Sequence, residues 1–171
     1  MRASLLASAV FAAALASNIA STASAQQSAP LTTQFMSDKQ IMGLIDKAKN
    51  ERKGEAPLVA EPILLLPPYK AQLEYRPAIA PAAVHEKDAE LFVVLQGTGN
   101  IVTGGKLVDE KRVNAANLSG SSIADGHSQT VVKGDMLIVP PNTPHQVIPS
   151  GGAPIVVMTM HVPFPAPANW P

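Results

Sequence analysis

Three side chains give this chain its chemical potential: His85, Glu90 and His145. His85 and Glu90 stand five positions apart in the segment AVHEKDAELFVVLQG, residues 83–97, and His145 lies in GDMLIVPPNTPHQVIP, residues 134–149. Side chains alternate faces along a strand, so Ala83 shares a face with His85, Glu90 with Phe92 and Val94, and His145 with Val147. Where the two segments form hairpins that face each other, two imidazoles and one carboxylate converge. Such a set leaves coordination positions open and suits Fe(II), Mn, Ni or Zn. The chain has no cysteine, which excludes disulfides, thiolate ligands and a cysteine nucleophile, so any metal must sit on nitrogen and oxygen.

Those residues need a frame of short strands. Sixteen prolines against four phenylalanines, two tyrosines and one tryptophan argue for many turns rather than long helices. Apolar or alternating runs predict strands at Val59 to Leu66, Ala71 to Arg76, Glu90 to Gln96, Gly99 to Val102, Thr130 to Val132, Met136 to Val139, His145 to Ile148 and Ile155 to Val162. Glu90 to Val102 reads as a hairpin turning at Gly97-Thr98. The polar stretch from Gly104 to Gln129 reads as an inter-strand loop or lid. Ahead of the strands, Ser37 to Arg52 has helical spacing of Ile41, Leu44, Ile45 and Ala48, a capping box in Ser37 and Gln40, and a stop at Gly54. The expected fold class is mostly β, a sandwich or barrel with one short helix packed on its outside.

The two segments also resemble the paired motifs of the cupin superfamily, a double-stranded β-helix or jelly roll. In that family the first motif runs His-x-His, Glu, Gly, and the second runs Gly, Pro, Gly, His, Asn. Residue by residue, His85 matches the second histidine, Glu90 the glutamate, Gly97 the closing glycine, Gly134 and Pro140 the second opening, and His145 its histidine. Ala83 stands in place of the first histidine, Asn142 in place of a glycine, and Pro149 in place of the asparagine. The resemblance implies a barrel over roughly residues 58–162 and a divalent metal on His85, Glu90 and His145; the place of the missing ligand is open to a vacancy, a water or another side chain such as His127, which is itself read first as a turn or strand-entry residue. Ala83, Phe92, Val94, Met136 and Val147 are expected to line the cavity, which favours an apolar small ligand.

Remaining candidates are read more plainly. His161 alternates with Thr159 and Val157 on the last strand, a spacing that allows it to face the cavity, and is read first as a structural histidine. Arg76 is read as a surface ion-pair partner, with an anionic substrate the alternative. Lys87 and Asp88 are placed on an exposed turn. No serine nucleophile elbow, phosphate loop or dinucleotide fingerprint is present.

Arg2, the apolar run Leu5 to Ala16 and Ala23-Ser24-Ala25 form a signal-peptide pattern, so residues 1–25 are assigned to export and the mature chain to the periplasm or beyond. The apolar run is too short to span a bilayer, which argues against stable membrane insertion. Residues 26–57 are then leader and helix, and residues 58–171 the barrel domain. Lys plus Arg equals Asp plus Glu at 13 each, with no basic run among aromatics, which argues against nucleic acid. Exposed strand edges make a homodimer the expected assembly. The expected function is a metal-dependent oxygenase or isomerase acting on a small organic molecule. The alternative is a binding or interaction module of the same fold, without metal or turnover.

Overall fold

The structure, a computed structural model, describes residues 32–164. The expected signal peptide and most of the leader lie outside the described residues. Helix α1 (Asp38–Glu51) begins on the expected box: Ser37 Oγ accepts from Gln40 N–H at 3.3 Å while Gln40 Oε1 accepts from Ser37 N–H at 2.9 Å. This satisfies two donors that the first helical turn cannot pair internally. Ile45 and Ala48 are buried on the helix's inner face. The helix ends at Arg52, whose backbone is extended, and Gly54 turns the chain with φ +54°.

The strands are β1 (Val59–Leu66), β2 (Tyr69–Arg76), β3 (Ala82–His85), β4 (Asp88–Gln96), β5 (Thr98–Thr103), β6 (Lys106–Val108), β7 (Lys111–Asn114), β8 (Asn117–Gly120), β9 (Ser122–Ala124), β10 (His127–Val132), β11 (Met136–Val139), β12 (His145–Pro149) and β13 (Ile155–Pro163). One large sheet has the order β1-β2-β13-β4-β11, the other β10-β5-β12-β3-β8-β7, and β6 pairs with β9 in a small third sheet, all pairs antiparallel. The mostly β jelly roll is therefore present, and each strand expected from the sequence lies within a strand observed. The stretch 104–129 is not the loop or lid expected: it carries β6 to β9 and the start of β10. Its short strands are rich in Ser, Asn and Gly and largely exposed, so neither apolar alternation nor β-propensity marks them.

Two apolar clusters hold the frame. Phe92, Val94, Ile101, Val131, Val139, Val147, Ile155 and Val157 fill the space between the sheets. Ile45 and Ala48 of α1 pack on Leu73, Tyr75 and Val156, on the outside of the first sheet. Burying a side chain such as Ile45 contributes about 1.5–3 kcal/mol. The second cluster changes the meaning of β2. With the helix covering Leu73 and Tyr75, strand alternation turns Gln72, Glu74 and Arg76 inward. The polar side of this strand faces the interior.

Candidate functional site

Glu90 comes from β4 in one sheet, His85 and His145 from β3 and β12 in the other, and the three meet between the sheets. Glu90 Oε2 lies 2.9 Å from His145 Nε2 and 3.3 Å from His85 Nε2. A fourth group joins them: His161 of β13, with Nε2 3.7 Å from Glu90 Oε1 and Nδ1 3.9 Å from Asp88 Oδ2. The imidazole centroids of His85 and His161 are 4.4 Å apart, and those of His85 and His145 are 5.1 Å apart. His85, Glu90 and His161 each offer one ligand atom within 4.8 Å of the others and could hold a metal ion. His145 is not one of that trio, although its Nε2 is bonded to the same carboxylate.

The reading of His161 as structural is thus corrected. His161 is the register partner of Glu90, so their side chains share a face. The alternation of Val157, Thr159 and His161 carried this signal in the sequence; the paired motifs, which end before β13, did not. Ala83, where the family pattern has its first histidine, is the register partner of His145 and lines the cavity without a donor. His161 reaches the carboxylate instead from the strand next to Glu90 in the same sheet. His127 does not. It is exposed at the start of β10, with β5 between it and β12, about 10 Å from His145 by strand spacing.

Hydrogen bonds from behind set which nitrogen each histidine shows. His145 Nδ1 donates to the Thr143 carbonyl at 3.0 Å, which leaves Nε2 on the Glu90 side. His85 Nδ1 donates to Asn117 Oδ1 at 2.6 Å. The orientation of that amide is fixed in turn, because Asn117 Nδ2 donates to Asn114 Oδ1, which also accepts from Ala116 N–H, both at 2.9 Å. Partners of this kind orient ligating histidines and raise their basicity. Those behind His85 lie in the polar stretch that sequence reading treated as a loop. Asn142, in place of a glycine, has φ +59°, a conformation asparagine tolerates, and its N–H bonds to the His85 carbonyl at 2.9 Å, tying the two motifs together. Gly97, with φ +84°, closes the first motif where an added Cβ would meet the Pro154 carbonyl at 2.4 Å.

Burial acts to raise the Glu90 carboxyl, but hydrogen bonds from His145 and His85 and the nearby imidazole charges outweigh it and hold the group far below the usual carboxylate range. For His85, burial acts downward and is overcome by the bonds to Glu90 and Asn117, so its pKa is raised. For His161, burial prevails over the attraction of Glu90, and the neighbouring His85 adds to it; the pKa is lowered. A nearly buried carboxylate ringed by imidazoles fits a divalent first-row ion, whose charge offsets the cost of desolvating the carboxylate.

The cavity over this cluster measures about 200 Å³ and is lined by Gln72, Glu74, Arg76, Ala83, Val147 and the site residues, among others. Two expectations about it need correcting. Phe92 and Val94 lie beneath it in the core, with the Phe92 ring edge-on to His145 at 5.8 Å. Met136 faces solvent at 64% exposure, because Leu137 is the register partner of Phe92 and parity turns Met136 away. The wall is therefore more polar than expected. Arg76 is no surface residue either: its Nε and Nη2 donate to Glu74 Oε2 at 2.9 and 2.6 Å, with both side chains largely buried.

Comparison with known proteins agrees with this architecture. The profile of the family described as Cupin matches residues 69–161. An uncharacterized conserved protein with a double-stranded β-helix domain from Klebsiella pneumoniae superposes with a TM-score of 0.52, at 15% identity, over 77% of this chain and 91% of its own. A cupin superfamily protein from Desulfitobacterium hafniense gives a TM-score of 0.45 at 13% identity, over 68% of this chain and 87% of its own. At these identities the likeness concerns the fold alone. No curated protein matches the chain.

Proposed function

We propose that this chain, which belongs to the cupin family, is an exported metal-dependent protein that acts on a small organic molecule as an oxygenase or isomerase. The observation that carries this reading is the meeting of three imidazoles and one carboxylate from four strands in the lining of one cavity. His85, Glu90 and His161 would hold the ion, with His145 completing the set around the same carboxylate. A bound divalent ion supplies Lewis acidity at its open positions.

The chain's own residues supply the rest. Glu90 contributes the one negative charge among the donors, and Asn117 and the Thr143 carbonyl hold His85 and His145 with Nε2 toward it. Phe92 packs against His145 from the core, with ring centroids 5.8 Å apart. The signal-peptide pattern in residues 1–25 supports export.

Elemental analysis of the purified mature protein tests the reading. Near-stoichiometric first-row metal, lost in His85→Ala and in His145→Ala, is the expected result; a protein that takes up no divalent ion after dialysis against Fe(II), Mn, Ni and Zn overturns it. Turnover by the loaded protein then separates an enzyme from a binding module.

A further inference from the structure

The inner face of β2 presents Gln72, Glu74 and Arg76 in a row, although on the same face of the sheet β13 supplies Ile155 and Val157 and β4 beyond it Phe92 and Val94. Burying an Arg–Glu pair is at best neutral for stability compared with apolar residues of similar volume, so stability alone gives no reason for this row. Its hydrogen bonds have a direction. Glu74 accepts four times: from Gln72 Nε2 at 2.9 Å, Arg76 Nε at 2.9 Å, Arg76 Nη2 at 2.6 Å and Thr159 Oγ1 at 3.4 Å. Its acceptor capacity is used up within the protein. Arg76 is held from one side only, and among the described residues Nη1 has no protein acceptor. Glu74 thus orients a guanidinium that lines the cavity and keeps donors to spare. Gln146, with Nε2 engaged by the Ala80 and Ser121 carbonyls at 2.9 and 3.4 Å, leaves its Oε1 as a nearby acceptor.

The geometry points to a substrate that is a small oxygen-bearing carboxylate, its carboxylate paired with Arg76 and a hydroxyl or carbonyl oxygen directed to the histidine-glutamate cluster. This rests on the metal site proposed above. Among the residues that line the cavity the charges agree: Glu74 and Arg76 cancel and a divalent ion outweighs the single charge of Glu90, while Asp88, 3.9 Å from the far nitrogen of His161, lies outside the lining. Size agrees as well, because about 200 Å³ is below the roughly 300–1,000 Å³ of pockets for drug-sized ligands. Guanidinium is the side chain best matched to a carboxylate, through charge-assisted bonds.

Co(II)-loaded protein titrated with glycolate, 3-hydroxypropionate and 4-hydroxybutyrate, and with their neutral amides, tests the assignment through the visible absorption of the ion. At least one acid is expected to bind saturably and more tightly than its amide, and Arg76→Gln is expected to weaken that acid about tenfold or more while Co(II) content is unchanged. Should Arg76→Gln fail to fold because Glu74 is left unpaired, the double variant Glu74→Gln with Arg76→Gln removes both charges and gives the same readout. Equal binding of acids and amides, or acid affinity indifferent to Arg76, overturns the substrate class while the metal site stands. Failure of the wild-type protein to take up Co(II) overturns both.

Discussion

Glu90 and His161 are register partners on adjacent antiparallel strands, and their side chains meet at 3.7 Å inside the barrel. Through this pairing the sheet that supplies the carboxylate also supplies an imidazole, in a chain whose first motif carries alanine at position 83. The same relationship makes the site depend on β13 as much as on the two motif segments.

Loss of that imidazole should therefore be felt by the metal. His161→Ala is expected to lower metal affinity by more than the 10- to 100-fold typical of losing a supporting partner, whereas His127→Ala leaves it unchanged. Competition against a chelator of known affinity measures both, and equal behaviour of the two variants would remove His161 from the site.

Asn117 acts on the ion only through His85. Asn117→Ala should weaken metal binding by about 10- to 100-fold with the protein still folded. Asn114→Ala should show a smaller loss in the same direction, since it only orients the Asn117 amide. Isothermal titration with Zn(II) resolves the order.

Acid should destabilise the metal-free protein through Glu90. A carboxyl whose folded pKa is depressed contributes stability that is present above its unfolded value, near 4.5, and is lost as pH falls toward the folded value. His161, lowered from 6.5, acts in the same sense at higher pH, while His85, raised from 6.5, contributes stability below that value that is lost as pH rises through its folded pKa. The two histidines oppose each other, so the steep fall in melting temperature should come below about pH 4.5. Glu90→Gln should flatten it. A wild-type profile without that fall, measured by thermal denaturation in chelator, would contradict the arrangement of charges.

The helix should matter to the site by way of β2. Ile45→Ala is expected to cost about 2–5 kcal/mol, since the side chain is fully buried between α1 and the sheet. Chemical denaturation measures the loss. A cost under about 1 kcal/mol would mean that α1 does not hold the outer face of β2.

Local pattern determined a good deal on its own. Every expected strand is there because apolar runs bounded by proline and glycine commit a short segment locally, and the capping box of Ser37 and Gln40 starts α1 by contacts within one turn. The pairing of His85, Glu90 and His145 could also be read, because strand parity and the two motifs agree. Only tertiary structure decided the rest. Whether Gln72, Glu74 and Arg76 or Leu73 and Tyr75 face inward depends on α1 covering one side of β2, and alternation by itself is symmetric between the two faces. Likewise His161 enters the site and Met136 leaves it through register with β4, a relation between distant segments that no single stretch of sequence contains.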